Sequence, residues 1–227
     1  MPCCSPDIAL RMAVYAGAGL AAYLLGAIPF GLLVARCKGV DIRTVGSRNI
    51  GATNVFRSVG KGPGILTFLL DALKGLVPAL LFPVIATDLA GLEFGQSLGL
   101  CCGVLAIAGH TWPAYLGFRG GKGVATSLGV VIGLAPAAAG CGVAAWLLVF
   151  LALRYVSVAS IAAAVVAPLS AWYFYLGQGA VLPAAFSLLG LLIIWRHRGN
   201  IRRLREGREN RFSFSRKHAA PAAPEGH

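Results

Sequence analysis

The chain has 227 residues, of which 57% are hydrophobic and 12% charged. Its mean hydropathy is +0.75. A soluble domain carries about 25% charged residues, so the composition excludes an ordinary soluble protein and leaves little chain for a second domain beside the crossings. The net charge of +12 reads as membrane topology plus attraction to anionic lipid, and not as a nucleic-acid signature.

Taken in chain order, apolar segments fall at about 12–35, 65–86, 95–109, 124–135, 137–153, 157–176 and 179–195. Arg11 precedes the first, which runs long enough to span and ends at no small-residue cleavage site, unlike a removed signal peptide. A perpendicular crossing needs about 20 apolar residues. The third and fourth segments are short by that measure, so they extend into the stretch between them or one is partly re-entrant. Pro78, Pro83, Pro168 and Pro183 lie within the spans, where membrane helices tolerate them. The pattern predicts an all-α, polytopic integral membrane protein with about seven transmembrane helices. Residues 1–210 form one transmembrane domain, and 211–227, polar and then rich in Ala and Pro, form a disordered cytoplasmic tail.

All Lys and Arg residues except Arg11 and Lys74 fall in alternate loops or in the tail, whereas the opposite loops carry only Asp88 and Glu93. Basic residues mark the cytoplasmic side. The expected orientation has the N-terminus outside and the C-terminus in the cytoplasm, with every polar motif on the cytoplasmic side. The six cysteines show no metal-ligand spacing. Cys101, Cys102 and Cys141 sit in apolar runs as small hydrophobes, and Cys3 and Cys4 have no assigned role.

Three polar stretches interrupt this pattern. The first, residues 46–64, gathers Ser47, Thr53, Asn49, Asn54, Arg48, Arg57, Lys61 and the glycines 46, 51, 60, 62 and 64. A plain solvated loop is the alternative, but glycines, hydroxyls, amides and cations in this density suit an anion. Asn54 and Arg57 are three apart and would share a helix face. In the second, Gly120-Gly121-Lys122-Gly123 leads into an apolar run, as a loop feeding a phosphate to a helix N-terminus would. Lys122 is alternatively a positive-inside anchor. Leu116 and Gly123 stand where an ATP- or GTP-binding P-loop needs Gly and Ser or Thr. His110 reads as a helix-end histidine bonded to backbone. In the third, Arg196-His197-Arg198-Gly199-Asn200, a continuing helix would present His197 and Asn200 together. The alternative is a plain basic juxtamembrane segment.

Asp71 and Lys74, three apart within the second span, can pair and support the site. Ser157 and Ser160 are possible anion donors or helix caps. No histidine has Asp five residues later, no Gly-x-Ser-x-Gly elbow occurs, and no acidic cluster suits catalytic metals. Any reaction therefore runs on positioned donors and positive charge.

The three stretches together resemble the acyl-phosphate-dependent glycerol-3-phosphate acyltransferases of bacteria, the PlsY family. Gly46-Ser47, Asn49, Gly51-Ala52-Thr53-Asn54 and Arg57 resemble its first motif. Gly109-His110, Pro113, Phe118 and residues 120–126 resemble its second, and Arg196-His197, Asn200-Ile201, Arg203-Leu204, Gly207 and Glu209 its third. Arg48 and Ile50 stand where the family often has Gly and Pro, and Arg119 where it has Lys.

The resemblance implies transfer of a fatty acyl group from acyl phosphate to the 1-hydroxyl of glycerol 3-phosphate, with no cofactor and no metal, assisted by a substrate phosphate. It implies Ser47, Arg57, Lys122, His197 and Asn200 as catalytic residues. Asn49, Gly51, Thr53, Asn54, Gly120, Gly121, Gly123, Ser157 and Ser160 are the implied binding residues. The partners are glycerol 3-phosphate, acyl phosphate and membrane lipid, in the inner membrane, and nothing in the sequence fixes an oligomeric state. A transporter of phosphorylated solutes is the competing reading, but it would favour repeated halves and charges near the midplane. A non-catalytic anchor for anionic lipid is a third, and it would not need Ser, His and Asn among the cations.

Overall fold

Apolar runs punctuated by proline and glycine set the helices of this chain. The structure, a computed structural model, describes residues 6–212, and Cys3, Cys4 and the tail from 213 onward lie outside the described residues. Helix α1 (Pro6–Ala27) breaks at Ile28 and Pro29, whose ring removes an N–H and strains the helical path, and resumes as α2 (Phe30–Arg36). After the first polar stretch come α3 (Ala52–Ser58) and α4 (Lys61–Ala90), then α5 (Gly95–Thr111), α6 (Val124–Leu134), α7 (Pro136–Leu153) and α8 (Val156–Tyr175). The bundle ends with α9 (Val181–Arg196) and α10 (Arg198–Arg205). Short 3₁₀ turns follow α5 at Ala114–Leu116 and α8 at Leu176–Gln178.

Each of the seven apolar segments is helical. Among the described residues, five stretches are long and apolar enough to cross a bilayer: Asp7–Arg36, Lys61–Ala90, Gly95–Leu116, Pro136–Leu153 and Val156–Gln178. Counting α9 with α10 makes a sixth, bent by 50°. The fourth expected crossing, α6, has only 11 residues, so by length the count is five or six rather than seven. Pro136 explains the shortening, since it pushes Ala135 out of the helical region (φ −150°, ψ 69°) and starts a new helix.

Small residues bring the helices together. A Cβ on Gly75 would lie 2.1 Å from the Thr126 carbonyl oxygen, and one on Gly129 would lie 2.0 Å from that of Ala72. Helices α4 and α6 therefore touch backbone to backbone, the contact that drives association where lipid is as apolar as the side chains. One core joins α4, α5, α6, α7 and α9 through Ala79, Ile107, Val130, Leu134, Ala138 and Phe186. A second joins α1, α4 and α5 through Ala22, Ala86, Leu98 and Cys102. Leu32, Ala35, Ile42, Ile50 and Val55 form a third beneath the first polar stretch. Large apolar side chains such as Leu69, Leu148, Leu169 and Leu188 cover the outer faces, as a lipid-facing surface requires.

Residues 211 and 212, expected to begin the tail, are folded onto the body. Arg211 Nε donates to the Leu153 carbonyl (3.3 Å), the Phe212 N–H donates to that of Arg154 (2.7 Å), and the Phe212 ring lies 5.6 Å from that of Phe56.

Candidate active site

The connection from α2 to α3, the loop before α6, the start of α8, α10 and the segment after α10 converge at one end of the bundle around a polar chamber of about 180 Å³. Ser47, Asn49, Gly51, Thr53, Asn54, Arg57, Lys122, Gly123, Ser157, Ser160, His197 and Asn200 all line it. Gly120 and Gly121 do not. Their N–H groups are already spent on the Thr111 (3.2 Å) and His110 (3.0 Å) carbonyls. The unspent amides come one turn later. Ser127 N–H makes the first helical bond of α6, to Gly123 O at 2.7 Å, so those of Val124, Ala125 and Thr126 have no intrahelical acceptor. Val124 and Ala125 line the chamber.

The first stretch is organised from within by Asn54. This buried amide donates to the carbonyls of Ile42, Val45 (both 3.2 Å) and Asn49 (2.9 Å), and its Oδ1 accepts from the Ser47 N–H (3.0 Å). Asn49 Oδ1 in turn accepts from the Gly51 N–H at 2.8 Å. These groups shape the loop, leaving the exposed side chains of Ser47, Thr53 and Arg57 at the chamber. Arg57 donates to the Asn210 carbonyl at 3.1 Å. Arg48 lies outside the lining, at φ +58°.

Lys122 donates its ammonium to Asn200 Oδ1. Asn200 Nδ2 donates to Glu209 Oε1 (2.7 Å), which also accepts from Ser157 Oγ (2.8 Å), while Arg203 Nε donates to Glu209 Oε2 (2.8 Å). Burial raises the Glu209 pKa, but the bonds from Asn200, Ser157 and Arg203 outweigh it and hold the carboxyl below its ordinary value. Glu209 thereby fixes the Asn200 amide with its oxygen toward Lys122. Ser160 is less available than expected, because its Oγ donates to the Val156 carbonyl (2.8 Å) and accepts from Trp146 Nε1 (3.3 Å). His197 lies at the bend between α9 and α10, with Nδ1 2.8 Å from the Ile193 carbonyl. A carbonyl only accepts, so Nδ1 carries the proton and the neutral ring keeps Nε2 as an acceptor.

His110 departs from its expected backbone bond: its Nδ1 faces Asp71 Oδ1 at 3.6 Å and has no hydrogen-bond partner among the described residues. A His–Asp contact absent from the local sequence thus exists in space. Asp71 and Lys74 pair at 2.9 Å as their spacing allows. Asp71, His110, Arg203, Glu209 and Asn210 also line the chamber, although none was among the implied catalytic or binding residues. The usable signal for Glu209 was an acidic residue set within a strongly basic segment.

Two further cavities share walls with the chamber. An apolar groove of about 300 Å³ runs between α6, α7, α8 and α9, meeting it at Phe68, Val124, Trp146 and Ser160. An open mouth of about 620 Å³, lined by Arg196, Arg198, Arg202, Arg203 and Lys122, meets it at Ser47, Asn49 and Asn200. The site is thus a cationic mouth, a polar chamber and an apolar groove in series, an arrangement suited to a polar phosphate and a lipid-like molecule at once.

Comparison with known proteins agrees with this class. The glycerol-3-phosphate acyltransferase family profile matches residues 16–207. A glycerol-3-phosphate acyltransferase of Aquifex aeolicus is 48% identical over 193 residues, covering 84% of this chain and 95% of that protein. One from Geobacter sulfurreducens is 44% identical over 191 residues, covering 84% and 94%. The crystal structure of PlsY (YgiH), an integral membrane glycerol 3-phosphate acyltransferase, superposes in its glycerol 3-phosphate form with a TM-score of 0.76. That match has 44% identity and covers 88% of this chain and 96% of that one. Its lysophosphatidic acid form gives 0.74, with 43% identity and coverage of 88% and 95%. The chain belongs to the glycerol-3-phosphate acyltransferase family, and it is an integral membrane protein of the PlsY type.

Proposed function

We propose that this protein transfers a fatty acyl group from acyl phosphate to the 1-hydroxyl of glycerol 3-phosphate at the cytoplasmic edge of the inner membrane. The observation that carries the reading is the polar chamber sharing walls with both an apolar groove and a cationic mouth. Glycerol 3-phosphate enters through the mouth and is held by Ser47, Arg57, His197 and Asn200. The acyl chain lies in the groove and its phosphate in the chamber, met by Lys122 and the first-turn amides of α6. Thr53 and Ser157 supply further hydroxyl donors.

In the reaction the 1-hydroxyl oxygen attacks the acyl carbonyl carbon. The bond from that carbon to the phosphate oxygen breaks, and phosphate leaves with the electron pair. The hydroxyl proton goes to a phosphate oxygen, so the substrate supplies the base. Lys122 and the α6 amides are placed to stabilise the oxyanion and the departing phosphate. Asp71 and His110 also line the chamber, but in this reading the substrate phosphate, and not the imidazole, takes the proton.

The test is purified protein with palmitoyl phosphate and labelled glycerol 3-phosphate, and palmitoyl-CoA as a separate donor. Lysophosphatidic acid with one phosphate released per product is expected from acyl phosphate alone. Product from the thioester and none from acyl phosphate would overturn the donor assignment. Counterflow of glycerol 3-phosphate in vesicles without lipid product would favour a transporter.

A further inference from the structure

At the wall of the chamber, where Asp71 and His110 are lining residues, lies a cluster of charge with no part in the chemistry above. Asp71, Lys74 and His110 are 2%, 3% and 5% exposed. Lys74 Nζ lies 2.9 Å from Asp71 Oδ1 and donates to the Ile28 carbonyl (2.8 Å), which at the break between α1 and α2 also accepts from the Phe30 N–H (3.1 Å). His110 Nδ1 stands 3.6 Å from the same carboxylate oxygen. The cluster therefore ties α4 and α5 to the break after α1. Ionisable groups inside a membrane protein are costly and are found where they serve a function.

The far edge of the imidazole indicates what the cluster holds. A Cβ added to Gly121 would lie 2.1 Å from His110 Nε2 and 2.7 Å from Cε1. Gly121 has no left-handed φ, so its backbone would accept alanine, and the ring alone forbids it. Gly120 differs, since its added Cβ would meet the carbonyl oxygens of His110 (2.1 Å) and Thr111 (2.8 Å). From above, Arg196 Nη2 clamps both glycines through their carbonyls, at 3.1 and 2.8 Å. The peptide before Lys122 is thus held between a guanidinium and an imidazole.

We propose that His110, oriented by Asp71 and Lys74, is a positioning residue whose ring is the seat on which Gly121 rests, setting where Lys122 enters the chamber. This rests on the reading of Lys122 as a phosphate ligand.

The seat is tested by suppression in the purified full chain. Gly121→Ala pushes the loop off the ring and lowers kcat by about 10²-fold, the size of loss that a 1 Å misplacement causes. Adding His110→Ala removes the obstacle and recovers about tenfold of that loss, a coupling expected of touching residues. The same addition to Gly120→Ala recovers nothing, because that clash is with backbone carbonyls and the Pro113 ring, which the His110 substitution leaves in place. All kcat values are taken per folded molecule, counted from the thermal transition, so a purely structural role would move the transition and leave them level. If His110→Ala does not purify folded, His110→Ser, which also deletes the ring edge, carries the comparison. Binding of inorganic phosphate by calorimetry is expected to rank the variants in the same order. A Gly121→Ala/His110→Ala protein no more active than Gly121→Ala, or equal recovery at Gly120, would overturn the proposal. A wild-type protein that binds phosphate but makes no lysophosphatidic acid would instead overturn the donor reading, with the phosphate ranking still deciding the seat.

Discussion

Lys122 brings an ammonium into a half-buried setting, and desolvation lowers its pKa to about 8, with Glu209 opposing and Arg203 and Arg57 adding to the fall. A lysine is charged below its pKa. The free protein therefore keeps this cation at neutral pH and loses it as pH rises through about 8. The kcat/KM for acyl phosphate is expected to fall along an alkaline limb near that value, read from a pH–rate profile; the same limb in Lys122→Arg would assign it to another group. Lys122→Ala is expected to lower kcat by about 10²–10³-fold, as loss of an oxyanion donor does, with the protein still membrane-bound and folded. Arg48 lies in the left-handed region at φ +58°, which costs a residue with a Cβ roughly 1–2 kcal/mol. This accounts for the glycine that the resemblance places there. Since Arg48 lies outside the chamber, Arg48→Gly is expected to raise stability by about 1 kcal/mol in thermal unfolding, after the entropy of the added glycine is subtracted, with turnover unchanged.

The groove depends on how α7 and α8 present small residues. Gly142, Ala139, Ala163 and Ala167 form much of its wall, and a larger side chain there would take the place of acyl carbons. Ala163→Phe is expected to reduce turnover of palmitoyl phosphate by about tenfold or more relative to octanoyl phosphate, the discrimination that a few methylenes in a pocket provide. Equal losses on both donors would mean that the chain lies elsewhere. The helices themselves were legible because apolar runs announce them, and each of the seven runs drawn is helical, the first broken in two at Ile28 and Pro29. The short α6 was less so, since hydropathy passes through Ala135 while Pro136 ends the helix. Within the motifs, local sequence marked which residues gather but not which are already occupied. Asn54 and Ser160 look like ligand donors by type, yet their partners lie within the protein. Asp71 and His110 meet only because α4 and α5 are adjacent in space, a pairing that no spacing rule reports.

At the scale of the whole molecule, the three polar stretches meet at one end of the helices, and among the described residues Arg57, Lys122, Arg196, Arg198, Arg202 and Arg203 gather there. Such asymmetry of Lys and Arg orients membrane proteins with the basic end in the cytoplasm, and the proposed reaction requires that orientation, since its acceptor is a soluble phosphate ester. The chain carries its own reporter of this orientation. Cys37 is an exposed free thiol just after α2, at the end that carries the chamber, whereas Cys102 is buried and Cys101 and Cys141 lie within helices. In a variant retaining Cys37 with the other cysteines replaced by serine or alanine, a membrane-impermeant maleimide is expected to react in inside-out vesicles and not in intact spheroplasts. Labelling from the spheroplast exterior would place the mouth on the periplasmic side, away from cytoplasmic glycerol 3-phosphate, and the proposed reaction would then lack its acceptor.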